Sequence, residues 1–148
     1  MNTRNLGLSV LLLSLLSGCM MMGQPRNLAF RHNPVTADPN AAGSARVTTM
    51  TDGMVQTTLV LTGLTPNKAY IAHYHAFGPA SNTDPCASNG PVSVGFPSFT
   101  SDASGNGTTT LMTEAAKIAG DAGAYINVHY ADAPAVVPIC APVKTTKG

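Results

Sequence analysis

Residues 45–50, Ala-Arg-Val-Thr-Thr-Met, and 55–61, Val-Gln-Thr-Thr-Leu-Val-Leu, are two β-branched runs separated by Thr51-Asp52-Gly53, a hairpin-type turn. The same punctuation recurs along the chain. Residues 63–67 (Gly-Leu-Thr-Pro-Asn) and 101–107 (Ser-Asp-Ala-Ser-Gly-Asn-Gly) are further turn clusters, and Gly or Pro stands between every pair of strand-like runs. Strands are expected at 28–31, 70–77, 107–112 and 124–130 as well. No segment carries a long 3.6-residue apolar period, and 114–119 offers one or two helical turns at most. Short strands with such turns predict an all-β Greek-key sandwich or barrel.

The N-terminus is read separately. Residues 1–19 combine Arg4, an apolar run over 6–16 and a small-residue exit, the pattern of an export signal. The run is about half of the ~20 apolar residues that a spanning helix requires. Its exit, Leu16-Ser17-Gly18-Cys19, resembles the bacterial lipobox, which implies a lipidated Cys19 and a protein held on a membrane surface of the cell envelope. Residues 20–27 then form a tether and 28–148 the folded domain. Met20, Met21 and Met22 in that tether are soft thioethers, but a plain linker is the expectation.

Charge and cysteine usage narrow the function classes. Without the leader and its Arg4, seven basic residues face seven acidic ones, so no basic field exists to hold nucleic acid. About 129 residues remain, enough for one domain with a core. With Cys19 taken by lipid, Cys86 and Cys140 are an even pair in an oxidising compartment, where a disulfide is expected; two free thiols binding a metal is the alternative.

Residues 72–78 read Ala-His-Tyr-His-Ala-Phe-Gly. In a strand, Ile71, His73, His75 and Phe77 share one face, and two rings about 7 Å apart at Cβ can converge on one ion. Paired histidines also occur on solvated strand faces. A third histidine, His129, ends the run 124–130, and three imidazoles on two strands suit a redox-active copper with an open position. His32 ends the first strand with nothing local to pair with and is read as a surface residue.

These residues resemble the copper/zinc superoxide dismutase family, a Greek-key β-barrel. The likeness runs from the Gly63-Leu64-Thr65-Pro66 turn through His73-Tyr74-His75-Ala76-Phe77-Gly78, Cys86-Ala87-Ser88-Asn89-Gly90-Pro91, Asp102-Ala103-Ser104-Gly105 and Asn127-Val128-His129 to Cys140-Ala141-Pro142-Val143. It implies copper on His73, His75 and His129, a Cys86–Cys140 bridge, and superoxide or a copper-exchange partner as the reactant. The departures are equally specific. Val92 stands where the family has the histidine bridging copper and zinc, no histidine lies between His75 and His129, and Val137 replaces the arginine that guides superoxide. The resemblance therefore implies a copper-only site without zinc, with low dismutase activity or with copper storage, tolerance or delivery instead.

A second resemblance is to the CHRD domain family, whose segments also run from a GLTP-type turn to an H-x-H element and an NGPV-type stretch. Ala72-His73-Tyr74-His75 and Asn89-Gly90-Pro91-Val92 fit it. It implies a structural or adhesion-like β module, and it requires neither the Cys86/Cys140 pair nor His129.

Overall fold

The Thr51-Asp52-Gly53 turn joins two antiparallel strands, β3 (Ala42–Thr49) and β4 (Met54–Thr62), in register from Thr49 opposite Val55 to Ala42 opposite Thr62. Gly53 has a φ of 79°, which a glycine adopts without strain. The computed structural model describes residues 23–33, 35, 37–77, 84–86, 90–118, 120 and 123–143. The leader, the lipobox Cys19 and the three tether methionines lie outside these.

Alternation along β4 decides which side of the first sheet is core. Val55, Thr57, Leu59 and Leu61 are buried, while Val60 and Thr62 are exposed. With β1 (Arg26–Ala29) and β8 (Gly107–Glu114), these strands make a four-stranded antiparallel sheet ordered β1-β3-β4-β8. The second sheet follows the order β2-β10-β9-β5-β6, from β2 (Arg31–His32), β10 (Ile139–Val143), β9 (Ala124–Tyr130), β5 (Ala69–Ala76) and β6 (Val92–Gly95). A short β7 (Phe99–Thr100) pairs with β5.

Tyr70, Ala72 and Tyr74 of β5 and Ile126 and Val128 of β9 face the first sheet and are fully buried with Leu59 and Leu61. A Thr57–Tyr74 hydroxyl bond of 2.6 Å crosses the interface between the sheets. Asp38, also fully buried, accepts from the Thr65 amide (2.7 Å), the Thr65 hydroxyl (2.5 Å) and the Tyr70 hydroxyl (2.8 Å). Three donors on one carboxylate replace the water it has lost.

Three expectations are corrected. The barrel does not close: among the described residues the ladders form two separate antiparallel sheets, because the two-residue β7, although it packs beside β8, forms ladder pairs only with β5. The expected strand 28–31 is two strands, which part at Phe30 and join different sheets. The segment 114–119 holds a single 3-10 turn, Ala115–Lys117, within the one or two turns expected of it. His32 is also not a free surface side chain. It is half-buried, with Nε2 3.0 Å from the Asp38 carbonyl.

Candidate metal centre

The inner face of β5 is spent on the core, so its outer face carries Ile71, His73 and His75. Register sets what lies beside them: His129 stands opposite Ile71, Asn127 opposite His73, and Tyr125 opposite His75. Period-two alternation therefore puts Tyr125, Asn127 and His129 on the same outer face. The ring centroids of His73, His75 and His129 are 5.2 to 5.9 Å apart.

Two loops roof this face. His129 Nδ1 lies 2.6 Å from the Pro134 carbonyl, in a segment held by Asn33 through bonds to the carbonyls of Val137 (2.7 Å) and Pro138 (2.8 Å). His75 Nδ1 lies 2.9 Å from the Gly90 carbonyl. A carbonyl only accepts, so both Nδ1 atoms carry the proton and both Nε2 atoms present a lone pair.

Those Nε2 atoms, with His73 Nδ1, are buried and without a hydrogen-bond partner. Each unsatisfied buried nitrogen costs about 1–3 kcal/mol. One ring nitrogen from each histidine lies within 4.8 Å of the others. Metal–imidazole bonds of about 2.1 Å place opposite donors about 4.2 Å apart. Three such donors in a trigonal array stand about 3.6 Å apart, so a closing of up to about 1.2 Å, within reach of side-chain rotation, brings all three onto one ion. The trio thus fits a metal, and neutral imidazoles suit copper, zinc, iron or nickel. Burial, with His75 adding to it, lowers the pKa of His73; burial likewise lowers that of His129, with His73 and His75 adding to it, against the opposing pull of the Pro134 carbonyl. Lowered values keep these rings neutral, as ligands must be.

Supporting residues that sequence reasoning missed surround the trio. Tyr125 is fully buried, stacks on His75 at 4.9 Å and 14°, and packs on Phe77 at 4.6 Å. Burial raises its hydroxyl pKa. Asn127, its amide oriented by its surroundings, donates to the Pro85 carbonyl at 3.0 Å. The signal for both was strand parity with His129.

Cys86 and Cys140 stand as a disulfide, with Cα atoms 5.4 Å apart. Cys140 pairs with Asn127 in the ladder, so the bridge ties the loop at Cys86 to the outer face of the site-bearing sheet. Asp84 reinforces it, accepting from the Cys86 amide at 2.9 Å and pairing with Arg31. Val92 is opposite His75 and is half exposed, and Val137 only lends its carbonyl to Asn33. Neither adds a polar side chain to the site.

Compared with known families, residues 28–136 match the CHRD domain. That span takes in His73, His75, His129 and Cys86 but stops short of Cys140. No curated protein matches the chain.

Proposed function

Because the chain belongs to the CHRD domain family, we propose that it is a CHRD-type β module adapted to hold one copper ion on His73, His75 and His129, working outside the cytoplasm. The observation that carries this is a set of three histidines, each with a buried, unpartnered ring nitrogen, that bring one ring nitrogen apiece within 4.8 Å of one another. The bland role for such a module is purely structural, and an adhesion surface has no use for three desolvated imidazoles without partners.

Copper, when bound, supplies one-electron chemistry and a Lewis-acidic centre. The chain's own part is to hold the donors. Pro134 and Gly90 fix the protonated side of His129 and His75, and the low pKa of His73 and His129 keeps protons from competing. The disulfide supports an oxidising compartment, and attachment to an envelope membrane through Cys19 follows from the lipobox-like exit. Storage, tolerance or delivery is favoured over dismutation, because Val92 and Val137 leave the site with neither a bridging histidine nor a guiding cation.

The test is to load the purified full chain with copper, count metal by elemental analysis, and assay superoxide removal beside His129→Ala. One copper per chain is expected, with affinity in His129→Ala falling by more than the 10–100-fold that a supporting residue is worth. Failure to bind copper at micromolar concentration, or tighter binding of zinc, overturns the proposal. Superoxide removal proportional to copper occupancy and absent in His129→Ala replaces the binding role with the enzymatic one.

A further inference from the structure

Resting on that reading, we propose that Tyr125 is a positioning residue: through the peptide group of Gly90 it sets which nitrogen of His75 faces the metal.

Three observations converge on Gly90. Its amide donates to the Tyr125 hydroxyl at 2.8 Å, and the same hydroxyl lies 3.5 Å from the Gly90 carbonyl. That carbonyl is the acceptor 2.9 Å from His75 Nδ1. A Cβ at position 90 would stand 2.0 Å from the Ala76 carbonyl oxygen and 3.3 Å from the Tyr125 hydroxyl. Only a residue without a side chain can bring its peptide this close to β5 and to Tyr125 together.

Tyr125 thus acts on His75 in two ways at once. Its ring stacks against the imidazole and fixes the plane, and its hydroxyl holds the peptide whose carbonyl fixes the tautomer. Phe77 packs on the tyrosine ring as well, at 4.6 Å. If the Gly90 carbonyl swings away, His75 no longer has a reason to keep its proton on Nδ1, and the Nε2 lone pair is offered only part of the time. Partners of this kind orient metal-binding histidines and fix their tautomer. The control is local: the Nδ1 of His129 faces the Pro134 carbonyl and not Gly90, so its tautomer is set separately.

The experiment reads the imidazole directly in the metal-free full chain, by ¹⁵N and ¹³C chemical shifts of His75. In the wild type, His75 is expected as the Nδ1–H tautomer alone, and the Gly90 amide is expected to be protected from hydrogen exchange. In Tyr125→Phe, which keeps the ring and removes the hydroxyl, a tautomer mixture at His75 is expected while His129 stays unchanged. Copper affinity should fall about 10–100-fold, with an altered Cu(II) electron paramagnetic resonance spectrum. A wild-type His75 protonated on Nε2, or a Gly90 amide that exchanges freely, overturns the proposal without any variant. A Tyr125→Phe chain whose His75 tautomer and copper spectrum match the wild type overturns it as well. If the wild type binds no copper yet its tautomer is locked and released by Tyr125→Phe, the positioning stands and the copper reading falls.

Discussion

The two sheets of the sandwich are built on different terms. The four-stranded sheet is held by long, unbroken ladders: eight pairs join β3 to β4 and eight join β4 to β8. Its buried polar residues, Thr48, Thr57, Thr109 and Thr113, do not titrate. The six-stranded sheet has strands of two to eight residues and a register shift where β6 meets Tyr74 and His75, with Ser93 as the extra residue. It compensates with cross-links: the disulfide, the Asn33 bonds, the Asn127–Pro85 bond and the Tyr125–Gly90 bond. The three imidazoles stand on its one long regular ladder, the seven pairs of β5 with β9, while the irregular β6 edge and the cross-linked segments lie around them.

The sharpest way to break this contrast is to remove the cross-link. The bridge spans a sequence separation of 54 residues, which the chain-entropy model converts to about 4 kcal/mol. The double variant Cys86→Ser with Cys140→Ser is expected to lose about that much in urea unfolding. Hydrogen exchange should rise first around Gly90 and β10 (Ile139–Val143), with β3 and β4 following only on global unfolding. Equal early loosening of both sheets would show that the disulfide braces the whole sandwich and not one side.

Next in size is a cavity in the regular sheet. Leu59 is fully buried, so Leu59→Ala is expected to cost about 3 kcal/mol. Copper-to-protein ratio, measured on the folded variant at low temperature, should remain that of the wild type. A lost metal site in a folded Leu59→Ala chain would mean that the two sheets are mechanically coupled through their shared core.

Acid gives the smallest effect and the most selective one. The folded-state pKa values of His73 and His129 are lowered from the ordinary 6.5. As pH falls below about 6.5, the unfolded chain takes up protons that the folded chain resists, so stability is lost from there down through the lowered folded values. Metal-free protein should therefore weaken on mild acidification, with exchange rising on the site-bearing sheet. The variant His73→Ala should flatten that dependence. An unfolding midpoint constant from pH 7 to pH 5 would contradict the burial of these rings.

Legibility in the sequence follows the same division. The hairpin at Thr51-Asp52-Gly53 and the spans of β3, β4 and β8 were readable because long strands carry their own alternation and β-branched residues. The strands β6, β7 and β10 were not anticipated. At two to five residues, they owe their state to the neighbour they pair with and not to a pattern of their own. At the site, the convergence of His73, His75 and His129 was legible as parity on two strands, and Cys86 with Cys140 as an even pair. Asn127 and Tyr125 share that parity, but their value depends on where Pro85 and Gly90 lie, and loop placement leaves no periodic trace. His32 was misread for the same reason: its partner is a backbone carbonyl, which every residue has.

The three histidines sit on the outside of the sandwich, on the side of β5 that Tyr70, Ala72 and Tyr74 do not occupy. For an ion to arrive or depart, the segments carrying Gly90 and Pro134 have to give way, and no part of the core has to open. Making the protein and charging it are therefore separate events. On the proposed reading, a chain of this design completes its fold by sealing the Cys86–Cys140 bridge without the ion and fills afterwards from whatever metal its surroundings hold. Its state of filling then reports on those surroundings rather than on its own history of synthesis.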